Sequence, residues 1–132
     1  MNYMHVVVGM IPNAQGEVLI AQRTANRYKS GLWEFPGGKV EAGETAFLAL
    51  QRELREEIGI HVISAESWCQ LGHDYEDRVV FLDVWVINRY HGEPHGAEDQ
   101  PVRWVRPEAL TDYVFPEGNQ RLIERWCAEW TS

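Results

Sequence analysis

The segment GGKVEAGETAFLALQRELREEIGI, from Gly37 to Ile60, constrains this chain more than any other stretch. Glycines at 37, 38 and 43 free the backbone of a loop that leads into a helix, an arrangement that lets main-chain groups approach a phosphate or a metal closely. From Glu44 to Ile58 the apolar residues Phe47, Leu50, Leu54 and Ile58 recur at helical spacing, and Gly59 is a natural stop. That stripe turns toward a core. Glu53, Glu56 and Glu57, spaced i, i+3 and i+4, share a face beside it. Like charges at this spacing destabilise a helix unless cations neutralise them. Magnesium or manganese suits such oxygen ligands better than zinc, because no histidine or cysteine shares the face. Arg52 and Arg55 offer partial compensation. For three carboxylates alone, a solvated acidic face with ordinary Glu–Arg pairs is the simpler reading.

The rest of the chain alternates strand and turn signals. Residues His5 to Ile11 are rich in β-branched side chains and read as a strand, and Pro12 to Gly16 is turn chemistry. Glu17 to Arg23 reads as a second strand that pairs with the first. A polar loop runs from Ala25 to Gly31, Trp33 to Phe35 is a short extended piece, and Pro36-Gly37-Gly38 breaks regular structure. Two strands follow the helix, Val62 to Gly72 and Arg78 to Asn88, joined by a turn containing Glu76 and Asp77. His91 to Asp99 is a loop, Gln100 to Val105 a final strand, and Glu117 to Trp130 an amphipathic helix burying Leu122, Ile123, Trp126, Cys127 and Trp130. This irregular interleaving predicts an α+β fold, a mixed sheet flanked by helices, over residues 1–132 as a single domain.

Composition narrows the function classes. With 132 residues and 45% hydrophobic content the chain can build a real core. No apolar run approaches the roughly 20 residues of a membrane helix, and the N-terminus does not read as a signal peptide. The two cysteines, Cys69 and Cys127, fit neither a disulfide framework nor a zinc spacing, so we expect buried free thiols in a cytoplasmic monomer. A net charge of −8 argues against direct binding to duplex nucleic acid. It leaves room for a small phosphorylated substrate, provided that cations sit between the two sets of negative charge. Six tryptophans read as packing residues rather than a base-stacking platform.

The segment from Gly37 to Ile60 also fits a known pattern, G-x5-E-x7-R-E-U-x-E-E-x-G-U with U aliphatic. Gly38, Glu44, Arg52, Glu53, Leu54, Glu56, Glu57, Gly59 and Ile60 fill every fixed position. On these residues the chain resembles the Nudix hydrolases. The resemblance implies an α/β/α sandwich and hydrolysis of a nucleoside diphosphate linked to another moiety. It further implies that Glu53, Glu56 and Glu57, with the backbone carbonyl of Gly37, hold the metal, while Gly38, Glu44 and Arg52 belong to the structural motif. Metals screen the polyphosphate and lower the pKa of a bound water. A carboxylate then accepts the proton, with Glu53 the first candidate and Glu98 the second for base or ligand.

Substrate preference rests on residues outside the motif. Val8 to Ile11, Arg23, Glu34 to Lys39, Asp77-Arg78, Gly92 to Pro94, Gly96, Glu98, Gln100-Pro101, Trp104 and Phe115-Pro116 with Asn119 resemble the branch of the family that converts 8-oxo-dGTP to its monophosphate and pyrophosphate. That branch implies that Phe35 and Asn119 contact the base, that Arg23 and Arg78 contact the nucleotide, and that Glu98 completes the metal site. Leu19 to Arg23 and Ser30 to Phe35 also resemble a branch acting on CTP and modified pyrimidine triphosphates. A third reading is a nucleotide-binding domain without catalysis, against which the intact carboxylate set counts. Without the family context, Asn119 reads first as a helix N-cap. Arg23 and Arg78 are then strand residues in surface ion pairs, and Phe35 is a core aromatic.

Overall fold

Two sheets share the chain's hydrophobic residues between them, and a computed structural model describes them through residues 2–24 and 31–130. The strands are β1 (Asn2–Met10), β2 (Val18–Gln22), β3 (Trp33–Glu34), β4 (Gly37–Lys39), β5 (His61–Tyr75), β6 (Arg78–His91) and β7 (Val102–Val105). Helix α1 spans Ala46–Ile58 and α2 spans Gln120–Trp130, with 3-10 turns at Pro107–Asp112 and Glu117–Asn119. A four-stranded sheet runs β4-β1-β6-β5, and a three-stranded sheet runs β3-β2-β7. The β1–β6 pair is parallel and every other pair is antiparallel, so the larger sheet is mixed. The expected polar loop from Ala25 lies, through residue 30, outside the described residues.

Alternation along β1 explains how two helices find two faces. Val8 and Met10 point into a core shared with Leu122, Ile123 and Trp126 of α2, whereas Val7 joins Leu50, Leu54 and Ile58 of α1. Successive strand side chains face opposite ways, so one strand feeds both cores. Helix α1 begins two residues later than the expected start at Glu44. The Thr45 hydroxyl accepts from Leu48 N at 3.1 Å and caps it, leaving Glu44 outside. At the other end Gly59 takes a left-handed φ of 69°, and its N–H closes on Arg55 and Leu54 carbonyls.

Three expectations need correction. β2 does not form a hairpin ladder with β1: apart from the bridge between Pro12 and Val18, β2 pairs β3 and β7. Both edges of β1 are already taken by β4 and β6. Second, Gly37 and Gly38 do not interrupt regular structure but pair with Val8 and Val7 as part of β4. Side chains there would run into the Val7 carbonyl and the Glu53 carboxylate, so glycine is what lets the strand close. Third, Trp130 stays exposed on α2, and the free thiols of Cys69 and Cys127 are half-buried rather than enclosed. Burial pushes both thiols above their usual range, which keeps them protonated. Among the described residues no helix is long and apolar enough to cross a membrane.

Trp126 fixes α2 to the sheet. It is 1% exposed, meets Trp68 edge-on at 5.4 Å and stacks on Trp130 at 4.4 Å. We expect Trp126→Ala to lower the free energy of unfolding by about 3–5 kcal/mol. Urea unfolding followed by circular dichroism measures this, and a loss below about 1 kcal/mol would show that α2 is held elsewhere.

Candidate active site

A cavity of about 550 Å³ opens between the start of the larger sheet and α1. Glu53, Glu56 and Glu57 from α1 line it together with Gly37 and Gly38 of β4 and Glu98 of the loop before β7. Arg23, Phe35 and Asn119 line it as well. Elements distant in sequence thus deliver most of the residues singled out above to one concavity. Glu44 and Arg52 do not line it, and neither does Arg78, which lines an adjoining cavity of about 220 Å³ that shares Arg23 and Asn119 with the first.

The local sequence explains how each carboxylate arrives. Gly38 has no side chain where the Glu53 carboxylate lies, so α1 rests directly on β4. Glu57 is 5% exposed, whereas Glu56 stands mostly in solvent. Glu98 reaches the site because Gln100 pins its loop to the end of α1. The Gln100 amide donates to Glu57 O at 2.7 Å and accepts from Glu98 N at 2.9 Å, and Ala97 N donates to Glu57 O at 3.0 Å. A buried glutamine with both ends bonded orders a loop that would otherwise be free, because each lost bond would strand a buried polar group. Sequence reading gave Gln100 no role. A lone polar residue ahead of a strand carries no such signal.

Arg52 is the electrostatic centre. It donates to Glu44 at 2.6 and 2.9 Å, to Glu53 at 2.8 Å and to the Lys39 carbonyl at 3.0 Å. One fork thereby ties the glycine-bearing loop, the entry to α1 and its acidic face together. The hydrogen bond from Arg52, helped by the Glu41 N–H, holds the Glu44 carboxyl down at about 2, and Arg52 itself is pushed up by the same bond. Glu53 moves the other way. Burial lifts its pKa, Arg52 opposes the lift, and the charges of Glu56 and Glu98 add to it. Among the described residues no group of three acidic, histidine or cysteine side chains is drawn in as a closed metal shell. Arg52 stands among them instead, 3.6 Å from Glu56 as well as bonded to Glu53. The cavity lining nonetheless supplies oxygen donors without histidine or cysteine, a donor set that fits hard divalent cations.

Phe35 is 4% exposed and stacks on Phe115 at 5.2 Å with an interplanar angle of 26°. Arg23 pairs with Glu34 at 2.7 Å, and Arg78 grips Asp77 through two nitrogens. Asn119 does not cap α2. It closes a 3-10 turn that runs straight into the helix, and among the described residues its side chain makes no hydrogen bond. No tryptophan lines either cavity, consistent with a packing role for these residues. Glu34, Met4, Val6 and Leu82 also line the first cavity and were not anticipated. The period-two alternation of β1 would have put Met4 and Val6 on the face of Val8.

Residues 7–125 match the family described as the NUDIX domain, and the chain belongs to that family. It is 37% identical over 125 residues to a protein of Escherichia coli K12 named 8-oxo-dGTP diphosphatase, covering 95% of this chain and 97% of that one. It is also 37% identical over 122 residues to the Escherichia coli K12 CTP pyrophosphohydrolase, covering 92% and 90%. Among solved structures, a MutT protein from work on Aliivibrio salmonicida and Vibrio cholerae superposes with a TM-score of 0.83 at 38% identity, covering 97% and 99%. Members of this family generally use divalent metal cations.

The Arg52–Glu44 clamp has a measurable pH signature. Glu44 sits near 2 in the fold against an ordinary 4.5, so its charge favours the folded state above about pH 4.5. That contribution fades as pH falls toward 2. Glu53, raised rather than lowered, contributes in the opposite direction. In metal-free protein we expect the melting temperature to drop across the acid window, and to drop less steeply in Glu44→Gln. Parallel melting curves against pH for the two proteins would show that the clamp carries no weight.

Proposed function

We propose that this chain is a nucleoside triphosphate pyrophosphohydrolase that cleaves 8-oxo-dGTP to 8-oxo-dGMP and pyrophosphate with a divalent cation, magnesium or manganese. The observation that carries the reading is a single cavity lined both by the carboxylates Glu53, Glu56, Glu57 and Glu98 and by Phe35 and Asn119. Glu53, Glu56, Glu57 and Glu98, with the Gly37 carbonyl, would hold the cations. When bound, these screen the polyphosphate charge and acidify water. Glu53 accepts the proton of the attacking water, because burial and its acidic neighbours raise its basicity above that of an ordinary carboxylate. Glu98 is the competing base. Gly38, Glu44 and Arg52 hold the loop and helix in register, while Arg23, which lines both cavities, and Arg78, which lines the smaller one, bind the nucleotide. The half-buried free thiols suit work in a reducing cytoplasm.

Asn119 supplies the base specificity. Guanine presents two acceptors, N7 and O6, along one edge. Oxidation at C8 converts N7 into an N–H donor. An asparagine amide accepts from N7–H while donating to O6. Unoxidised guanine would set the amide oxygen against a lone pair, and an unpaired polar contact in a closed site discriminates strongly. A side chain that lines the cavity and is not spent as a cap supports this role. The second reading, a CTP-preferring enzyme, is favoured by the equal identity to that relative.

We expect Glu53→Gln to lower kcat by about 10³-fold with magnesium at neutral pH. Full activity in that variant would remove Glu53 from the chemistry. In competition among 8-oxo-dGTP, dGTP and CTP, the highest kcat/KM belongs to 8-oxo-dGTP, and Asn119→Ala narrows its lead over dGTP by about tenfold or more. A lead for CTP would transfer the assignment to the second reading.

A further inference from the structure

Tyr75 ends β5 at the rim of the smaller cavity, and its hydroxyl accepts a hydrogen bond of 2.8 Å from the backbone N–H of Gly118. Gly118 is buried in the short 3-10 turn Glu117–Asn119, one residue before the side chain placed against the base. The turn's own backbone bonds, from Asn119 N to Pro116 O at 3.0 Å and from Gln120 N to Glu117 O, stay within the same segment. Among the described residues, the bond from Tyr75 ties the turn to the sheet across 43 positions of sequence.

Space tells the same story. Gly118 does not adopt a positive φ, so backbone conformation does not demand glycine there. What demands it is Tyr75. A Cβ at Gly118 would lie 2.6 Å from the tyrosine hydroxyl and 3.2 Å from His73 Cβ and Cγ. His73 in turn packs edge-on against the Tyr75 ring at 4.5 Å, which fixes the ring's direction. The hydroxyl and the missing side chain are thus two halves of one fitted contact.

We infer that Tyr75 is a positioning residue which, through Gly118, sets the direction of the Asn119 amide and so the base preference of the site. The inference rests on the proposed seating of the base beside Asn119. Removing the hydroxyl strands a buried N–H, which the turn relieves by shifting toward solvent and carrying Asn119 with it. The carboxylates lie on other elements, so the chemical step is untouched.

The test compares wild type with Tyr75→Phe, Gly118→Ala and the double variant. Each is assayed with 8-oxo-dGTP, dGTP and CTP, and each is titrated with 8-oxo-dGMP and CMP by calorimetry. We expect Tyr75→Phe to raise KM for the preferred nucleotide about tenfold, and to weaken binding of its monophosphate equally, with kcat within about twofold. The lead of that nucleotide over its competitors narrows by a similar factor. Gly118→Ala should be the more damaging single change, and adding Tyr75→Phe should recover much of its loss, because the hydroxyl that the new methyl meets is gone. Unchanged KM and monophosphate affinity in Tyr75→Phe would overturn the inference, as would equal loss on every nucleotide or additive losses in the double variant. A wild type that prefers CTP would sink the 8-oxo-dGTP reading alone, since the same comparison is then read on CTP and CMP.

Discussion

Crowded negative charge governs this molecule. Glu53, Glu56, Glu57 and Glu98 converge on one cavity in a chain that already carries a net charge of −8. Arg52 braces the edge of that cluster by bonding Glu44, Glu53 and the Lys39 carbonyl at once. The raised pKa of Glu53 and the lowered pKa of Glu44 are two consequences of the arrangement. Burial and like charges act on the first, and a direct guanidinium bond acts on the second. One carboxylate is thus held more basic than an ordinary glutamate while another on the same guanidinium stays ionised.

The fold can be understood as the scaffold that this crowding needs. Gly38 lets β4 lie against the Glu53 carboxylate, and Gln100 draws the Glu98 loop onto the last turn of α1. On the opposite side of the sheet, α2 is pinned by Trp126, and the turn preceding it carries Asn119 into the same cavity. The carboxylates thus come from α1 and from the loop before β7, whereas Phe35 follows β3 and Asn119 precedes α2.

Local signals made much of this legible. The helical spacing from Phe47 to Ile58, the stop at Gly59 and the turn at Glu76-Asp77 each depend on neighbours in sequence, and all are found in the structure. Pairings set by distant partners were not legible. Nothing near Val18 reveals that β1 already has partners on both edges, and a glycine pair reads as a break until the Glu53 carboxylate is seen in the space it leaves. The same division holds for the site. The carboxylates of α1 were readable from their spacing, and Glu98, Phe35, Arg23 and Asn119 from resemblance, whereas Gln100 and Tyr75 act through contacts 43 positions away and leave no local trace.

If this acidic cavity becomes a polyphosphate site only when cations fill it, turnover must follow the metal. Chelated protein is incubated with 8-oxo-dGTP, then magnesium is restored, and the products are resolved by phosphorus NMR. We expect no turnover under chelation, and on metal addition a monophosphate with pyrophosphate. Release of orthophosphate with a nucleoside diphosphate, or undiminished turnover in the chelator, would overturn this reading of the cavity.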